Sequence, residues 1–370
     1  MMPYIKKSMA SRTVFLFLCP TILGLLSCST QSPTIMLSTS PQQIQASNHS
    51  QIQMSESTQL FPISQNGKQG YINSTGQIAI KPQFDEASSF SEGLATVRIG
   101  NKWGYIDKTG QTVIKPTFDS AYSFSEGLAA IDIDGKMGYI NQTGQLVIPP
   151  QFNLTYQFSE GLAAVRIELE KWGYIDKAGQ LVIKPRFNQA SNFSQGLALV
   201  TMQGKAGYIN KTGQLIIKPP SNLVRKFSEG LASVRVGNKV GYIDQTGQLV
   251  IEPQFDEGSD FSEGLAVVAT GVITADGQPP VMTNIKYGYI DKTGQIVIEP
   301  QFKEAMNFSE GLAAVRIEDK WGYINKTGQM VIKPQLDTAT VFIGELARVS
   351  IEDKSGYIDM TGKYVWNSTN

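Results

Sequence analysis

The chain has 370 residues, with 32 basic and 32 acidic side chains and therefore no formal net charge. That balance leaves no surplus of cations for a phosphate backbone, so nucleic acid is excluded as an expected partner. Hydrophobic residues at 41% and aromatics at 9% exclude a wholly disordered chain.

At the N-terminus, Lys6, Lys7 and Arg12 flank a short apolar run from Val14 to Leu26, interrupted by Pro20. The run is too short for a comfortable membrane span, and residues 1–27 read as an export signal. It ends at Leu25-Leu26-Ser27-Cys28, which resembles the bacterial lipobox. Leu25 and Ser27 fit that pattern, whereas Leu26 is a less usual residue at its position. The resemblance implies that Cys28 is acylated and anchors an exported lipoprotein on the periplasmic or cell-surface side. The competing reading is an ordinary cleaved signal or an uncleaved anchor. Cleavage before Cys28 removes three basic residues and no acidic ones, taking the charge from 0 to −3. Cys19 and Cys28 are the only cysteines, so disulfides and thiol chemistry are not expected further on. Residues 28–58, rich in Ser, Thr and Gln, read as a disordered linker.

From 59 to 370 a single motif recurs. Gly-Tyr-Ile appears nine times, with its tyrosine at Tyr71, Tyr105, Tyr139, Tyr174, Tyr208, Tyr242, Tyr289, Tyr323 and Tyr357. The interval is 34 residues except before Tyr174, where it is 35, and before Tyr289, where it is 47. A period of this size defines a repeat array whose neighbours must stack to bury a core.

The unit from Phe84 to Phe118 shows the expected elements. Leu94 to Ile99 alternates as a strand, Gly100-Asn101 makes a hairpin, and Lys102 to Asp107 forms a second strand. Asp107-Lys108-Thr109-Gly110 reads as a tight turn. A third strand starts at Thr112 and is expected to stop near Pro116, because proline cannot donate to a ladder. Phe118 to Gly127 is expected to be an irregular connector with aromatic anchors.

The fold class is therefore all-β: a tandem array of about nine three-stranded meander repeats of 34 residues, open superhelical or propeller-like. Both chain ends carry complete sets of strands, with no split unit to zip a ring shut, which favours the open or incompletely closed form. The extra residues fall around Glu168 to Glu170 and within Thr270 to Ile285, both between the first and second strands. That rim tolerates insertion and is expected to be exposed, the longer insert as an extended hairpin.

Phe124-Ser125-Glu126-Gly127-Leu128-Ala129 and Lys102-Trp103-Gly104-Tyr105-Ile106-Asp107-Lys108-Thr109-Gly110 resemble the bacterial WG-repeat family. The resemblance covers about 61 to 366. It departs at the name-giving tryptophan, present only as Trp103, Trp172 and Trp321, with Gln69, Met137, Ala206, Val240, Tyr287 and Ser355 elsewhere. It implies a β-repeat binding scaffold without an assigned activity, and it transfers no catalytic residues.

Chemistry in the repeats is sparse. The only histidine, His49, lies in the linker, so no histidine-based triad or zinc cluster is expected in the repeats. Glu92, Glu126, Glu160, Glu229, Glu263 and Glu310 recur with the period, which points to a turn or a cap and not to an enzyme. The Asp of Asp-Lys-Thr-Gly exchanges with Asn73, Asn141, Asn210 and Asn325, which fits an Asx-initiated turn better than a calcium loop. The lysines two residues before each Gly-Tyr-Ile glycine are expected to pair with nearby acids. No cofactor and no metal is expected.

Where the period breaks, Trp103, Trp172, Trp321 and Tyr287 of the variable slot, with Asp276 and Met282 of the insert, form the candidate binding surface. The expected role is non-catalytic scaffolding with an envelope protein. A glycan- or peptidoglycan-binding module is the alternative, and it requires the tryptophan slots to lie on one open face.

Overall fold

The computed structural model describes residues 59–167, 171–274, 281–352 and 354–368, and the side chains of 272–284 are outside that description. The signal and linker readings, Cys28, Asp276 and the insertion at 168–170 lie outside the described residues. Met282 is placed only by its backbone pairing with Ile273.

Among the described residues every regular element is a strand. Unit 1 comprises β1 (Phe61–Gln65), β2 (Lys68–Ile72) and β3 (Ile78–Phe84). Unit 2 comprises β4 (Glu86–Ala87), β5 (Leu94–Ile99), β6 (Lys102–Asp107) and β7 (Thr112–Phe118). Each unit is an antiparallel meander in chain order, and units 3 to 9 follow at 120–152, 154–187, 189–217, 224–255, 257–302, 304–336 and 338–367.

Two expected details are corrected. The connector is not wholly irregular: in unit 2 it supplies β4, which pairs Glu86 with Arg98 and Ala87 with Val97. Unit 6 keeps this first strand only as a bridge between Val224 and Val234. The strand after the tight turn also does not stop at proline. β7 runs through Pro116 to Phe118, and the register shifts between Trp103 and Tyr105. Because β7 is an edge strand, a bulge there absorbs the missing N–H.

That bulge explains the glycine of Gly-Tyr-Ile. A Cβ on Gly104 would lie 2.5 Å from the Ile114 carbonyl oxygen and 2.6 Å from the Pro116 nitrogen. Only a residue without a side chain lets the bulged backbone approach this closely.

The Asx turn forms as expected. Asp107 Oδ1 accepts from the Thr109 N–H, the Thr109 hydroxyl and the Gln111 N–H at 2.9, 2.6 and 3.0 Å. Burial pushes this carboxyl up, but the bonds to Thr109, Gln111 and Gly110 outweigh it and hold it below its usual range. Asn73 makes the same three contacts in unit 1.

Ser-Glu-Gly-Leu closes a two-residue hairpin in which Glu and Gly both have positive φ, 54° at Glu126 and 84° at Gly127. The left-handed glutamate is disfavoured by roughly 1 kcal/mol, and its carboxylate is tied to the next unit. Glu126 accepts the Gly161 N–H at 2.9 Å and pairs with Lys177, and Glu160 repeats this with Gly196 and Lys211. In unit 5 Gln195 replaces the glutamate and Gln245 replaces the lysine, so the neutral pair keeps the same cleat. The expected lysine pairing is also present: Lys68, Lys102, Lys239 and Lys320 contact Asp85, Asp119, Asp256 and Asp337.

These cleats give an acid-lability prediction. Burial raises the Glu160 carboxyl, but the Gly196 N–H and Lys211 outweigh it, so the folded value lies below the ordinary 4.5. A depressed folded value stabilises above the unfolded pKa and is lost as pH falls through the folded one. The melting temperature of the full chain is therefore expected to drop as pH falls below about 4.5. Glu160→Gln is expected to flatten that slope and to cost about 0.5 kcal/mol at pH 7, measured by thermal melts from pH 7 to 3.

The sheets pack face to face through one repeated joint. Tyr105 is fully buried, packs with its ring tilted 56° and 5.0 Å from that of Phe124 of the next unit, and donates its hydroxyl to the Tyr122 carbonyl at 2.8 Å. Tyr71, Tyr139, Tyr174, Tyr208, Tyr242, Tyr289 and Tyr323 make the equivalent bond to the following unit.

The ninth tyrosine closes the array. Tyr357 donates to the Pro62 carbonyl of unit 1 at 2.8 Å, and its ring lies 5.7 Å from Phe61. Phe61, Ile63, Ile72, Leu346 and Tyr357 form one core cluster, with Val365 and Trp366 packed against it. The propeller-like arrangement is thus the one realised, as a closed ring of nine sheets. No unit is split, as the sequence implied, but closure does not need one. The tyrosine joint that binds every other pair of sheets also seals the first to the last.

Candidate functional site

The variable slot precedes the glycine of Gly-Tyr-Ile and packs beneath the first strand of the next unit. Trp172 and Trp321 fill it fully, at 7% and 8% exposure. Their clusters include Ala190 and Ala339, the small residues of the following first strands. Trp103 is half-buried against Ala121 in the same way. The tryptophans therefore lie between sheets and do not form one open stacking face, which removes the feature the glycan alternative required of them.

In unit 6 Val240 is buried against Gly258 of unit 7, closely enough that a Cβ on Gly258 would come within 2.8 Å of Val240 Cγ1. Above them lies a cavity of about 590 Å³ spanning units 6, 7 and 8. The fourth strand of unit 5 ends early, at Ile217, because Pro219-Pro220 follows and Ser221 stands where Phe187 closes unit 4. That early stop reshapes 222–225, which form one wall of the cavity.

Tyr287 is the slot residue of unit 7 and lines this cavity, so the structure brings one expected site residue to it. Its hydroxyl donates to Glu257 Oε2 at 3.0 Å. Burial first, then the Glu257 carboxylate, pushes the phenol up to about 12, so it stays a neutral donor at pH 7. Arg235 is committed to the carbonyls of Asn238 and Asp256 at 3.0 and 2.8 Å. The Arg225 guanidinium, also on the wall, has no hydrogen bond or ion pair among the described residues. Ser259 donates to Asn307 Oδ1 at 2.7 Å across units 7 and 8, and Val267 and Ala269 make the buried apolar floor. The arrangement offers one cation, one acid–phenol pair and an apolar base. Among the described residues that line it, no nucleophile is paired with a base.

The insert carries the hairpin of unit 7 outward from this cavity's strands. Its strands pair as far as Thr274 with Val281, after a bulge between Thr270 and Val272. The expected extended hairpin is therefore present in the backbone up to that pair.

A second recess, about 440 Å³, lies at the first strands of units 4 and 5 and reaches Lys226 of unit 6. Tyr156 borders it, 45% exposed, and lies parallel on Trp172 with 4.9 Å between centroids and 9° between planes. The sequence reading missed Tyr156. The available signal was that Ser88, Ser191 and Ser259 hold the equivalent position, each offering its carbonyl to a buried tyrosine, whereas units 3 and 4 carry Tyr122 and Tyr156.

A closed ring of nine antiparallel sheets, joined by side chains, is a nine-bladed β-propeller. The chain belongs to the WG-repeat family. The profile of the WG containing repeat matches 70–103, 103–136, 137–168, 172–205, 207–239, 241–271, 287–321 and 321–354. No curated protein matches the chain in sequence. Similar solved structures include dihydro-heme d1 dehydrogenase NirN in complex with DHE, at 13% identity and TM-score 0.44, covering 72% of this chain and 70% of that one. BamB from Moraxella catarrhalis matches at 11% identity and TM-score 0.36, covering 84% of this chain and 94% of that one. Hsv2p of Kluyveromyces lactis matches at 8% identity and TM-score 0.38, covering 64% and 91%.

Proposed function

We propose that this propeller is a non-catalytic binding scaffold, exported to the bacterial envelope and held there through Cys28, where it engages a protein partner. The observation that carries the reading is the cavity across units 6 to 8, which borders two breaks in the repeat, Pro219-Pro220 and the insert before Tyr287. The recurring acids are spent on holding units together, so Glu126, Glu160, Glu229 and Glu263 each bind a lysine and a backbone N–H of the next unit. What remains uncommitted, Arg225 above an apolar floor beside the Tyr287–Glu257 pair, suits a side-chain anchor with an acidic neighbour. Export and anchoring are supported by Lys6, Lys7, Arg12 and the Leu25-Leu26-Ser27-Cys28 run.

Tyr287→Ala tests this reading, because the same slot already holds Ala206 in unit 5 and the change removes the acid–phenol pair from the wall. The variant is expected to melt within about 2 kcal/mol of the wild type and to lose at least tenfold in affinity for the partner that the wild type captures from envelope extracts. Equal capture by both proteins moves recognition away from the cavity. Cys28→Ala is expected to release the chain from the membrane fraction, and retention there contradicts the anchor.

A further inference from the structure

We propose that the recess at units 4 and 5 is a sugar site, taking a pyranose ring that carries a carboxylate. It is separate from the cavity at Val240 and does not depend on the protein-binding reading.

Four observations converge on it. Tyr156 offers a flat, half-exposed ring, and Trp172 backs it in parallel so that it cannot collapse inward. A rigid aromatic face of this kind buries the C–H face of a sugar at little entropic cost. Asn192 Oδ1 is buried and has no hydrogen-bond partner, and it borders the same recess. Asn192 is half-buried, and turning its amide outward offers the unpaired oxygen to a sugar hydroxyl. Gln157 adds a second planar amide at the rim.

Lys226 reaches the recess from unit 6, and its ammonium has no ion pair among the described residues. A carboxylate on the ring answers that charge. Ala190 and Ser191 leave no aliphatic hole for a leucine or phenylalanine anchor, so the recess is flat and polar where a protein hot spot would be deep and apolar. Its volume of about 440 Å³ lies within the range of small-ligand sites.

The test is calorimetric titration of the full chain with a glucuronate-containing hyaluronan tetrasaccharide and with neutral chitotetraose. Saturable binding of the acidic oligosaccharide, at least tenfold tighter than the neutral one, is expected. Tyr156→Ala is expected to abolish it, Tyr156→Phe to retain it, and Asn192→Leu to weaken it about tenfold. Lys226→Ala is expected to remove the preference for the acidic sugar and leave the neutral one unchanged. Tyr287→Ala should bind both sugars as the wild type does, which separates this site from the larger cavity. No binding of either oligosaccharide overturns the proposal, as does equal binding by Tyr156→Ala with an unchanged melting temperature. Preference for the neutral sugar overturns the carboxylate assignment.

Discussion

Gly138→Ala is expected to destabilise the propeller by about 3 kcal/mol or more, because the added methyl meets backbone and not a movable side chain. The Cβ would sit 2.5 Å from the Ile148 carbonyl oxygen and 2.7 Å from the Pro150 nitrogen. Neither atom can move without undoing the bulge that lets the last strand of unit 3 pair through its prolines. For a domain of this size the melting temperature is expected to fall by roughly 4–5 °C or more. Gly127→Ala is the control, since its Cβ meets nothing within 4 Å and only its φ of 84° opposes the change. That variant is expected to cost about 1 kcal/mol. Equal effects from the two substitutions would show that conformation, and not the close approach, keeps glycine before each tyrosine.

The second large effect lies at the joint itself. Tyr242 is fully buried, packs 5.0 Å from Phe261 of the next unit and donates to the Ser259 carbonyl at 2.9 Å. Tyr242→Ala removes both contacts and leaves a cavity between sheets, for an expected loss of about 3–5 kcal/mol. Tyr242→Phe keeps the ring and orphans one carbonyl, for about 1–2 kcal/mol. The two losses are measured by denaturant unfolding, and their difference separates packing from hydrogen bonding.

The same buried phenols predict alkaline lability. Burial raises Tyr242 well above its ordinary 10.0, so the fold favours the neutral form. That stability is complete below the unfolded pKa and is lost as pH rises towards the folded one. Unfolding is expected to begin above about pH 10, followed by tyrosinate absorbance. Early titration of all nine tyrosines without unfolding would contradict their burial.

Much of this architecture was legible in the sequence, for a physical reason. Alternation along Leu94 to Ile99 and the Asp107-to-Gly110 turn are local signals, and each recurs at 34-residue intervals with substitutions that keep the chemistry. The exchange of Asp107 for Asn73 identified an Asx turn because both side chains present the same oxygen. That the lysine series pairs with acids was expected, whereas Asp119 as the partner of Lys102 came from the structure.

What escaped reading depends on contacts distant in sequence. β4 has only two residues, too few to carry a periodic pattern. Ring closure rests on Tyr357 and Pro62, which are 295 residues apart, and no local rule connects them. The variable slot was recognised as the place where the period breaks, but its tryptophans were expected to lie on a binding surface. Trp172 is covered because the small Ala190 of the next first strand leaves a space its indole fills. The useful information lay at Pro219-Pro220 and Ser221, which end the last strand of unit 5 early beside the wall of the cavity. Tyr156 went unremarked because it occupies a position whose periodic role belongs to its carbonyl and not to its side chain.

The central claim is that the tyrosine joints run unbroken around a closed ring, so that the first unit rests on the last. Hydrogen–deuterium exchange of Tyr357→Ala in the full chain tests it most directly. The ring predicts that amide protection in residues 61–72 falls at least tenfold, together with that in 346–367, while units 4 and 5 keep wild-type protection. Wild-type protection across 61–72 in that variant would contradict closure, because unit 1 would then be stable without the unit that seals it.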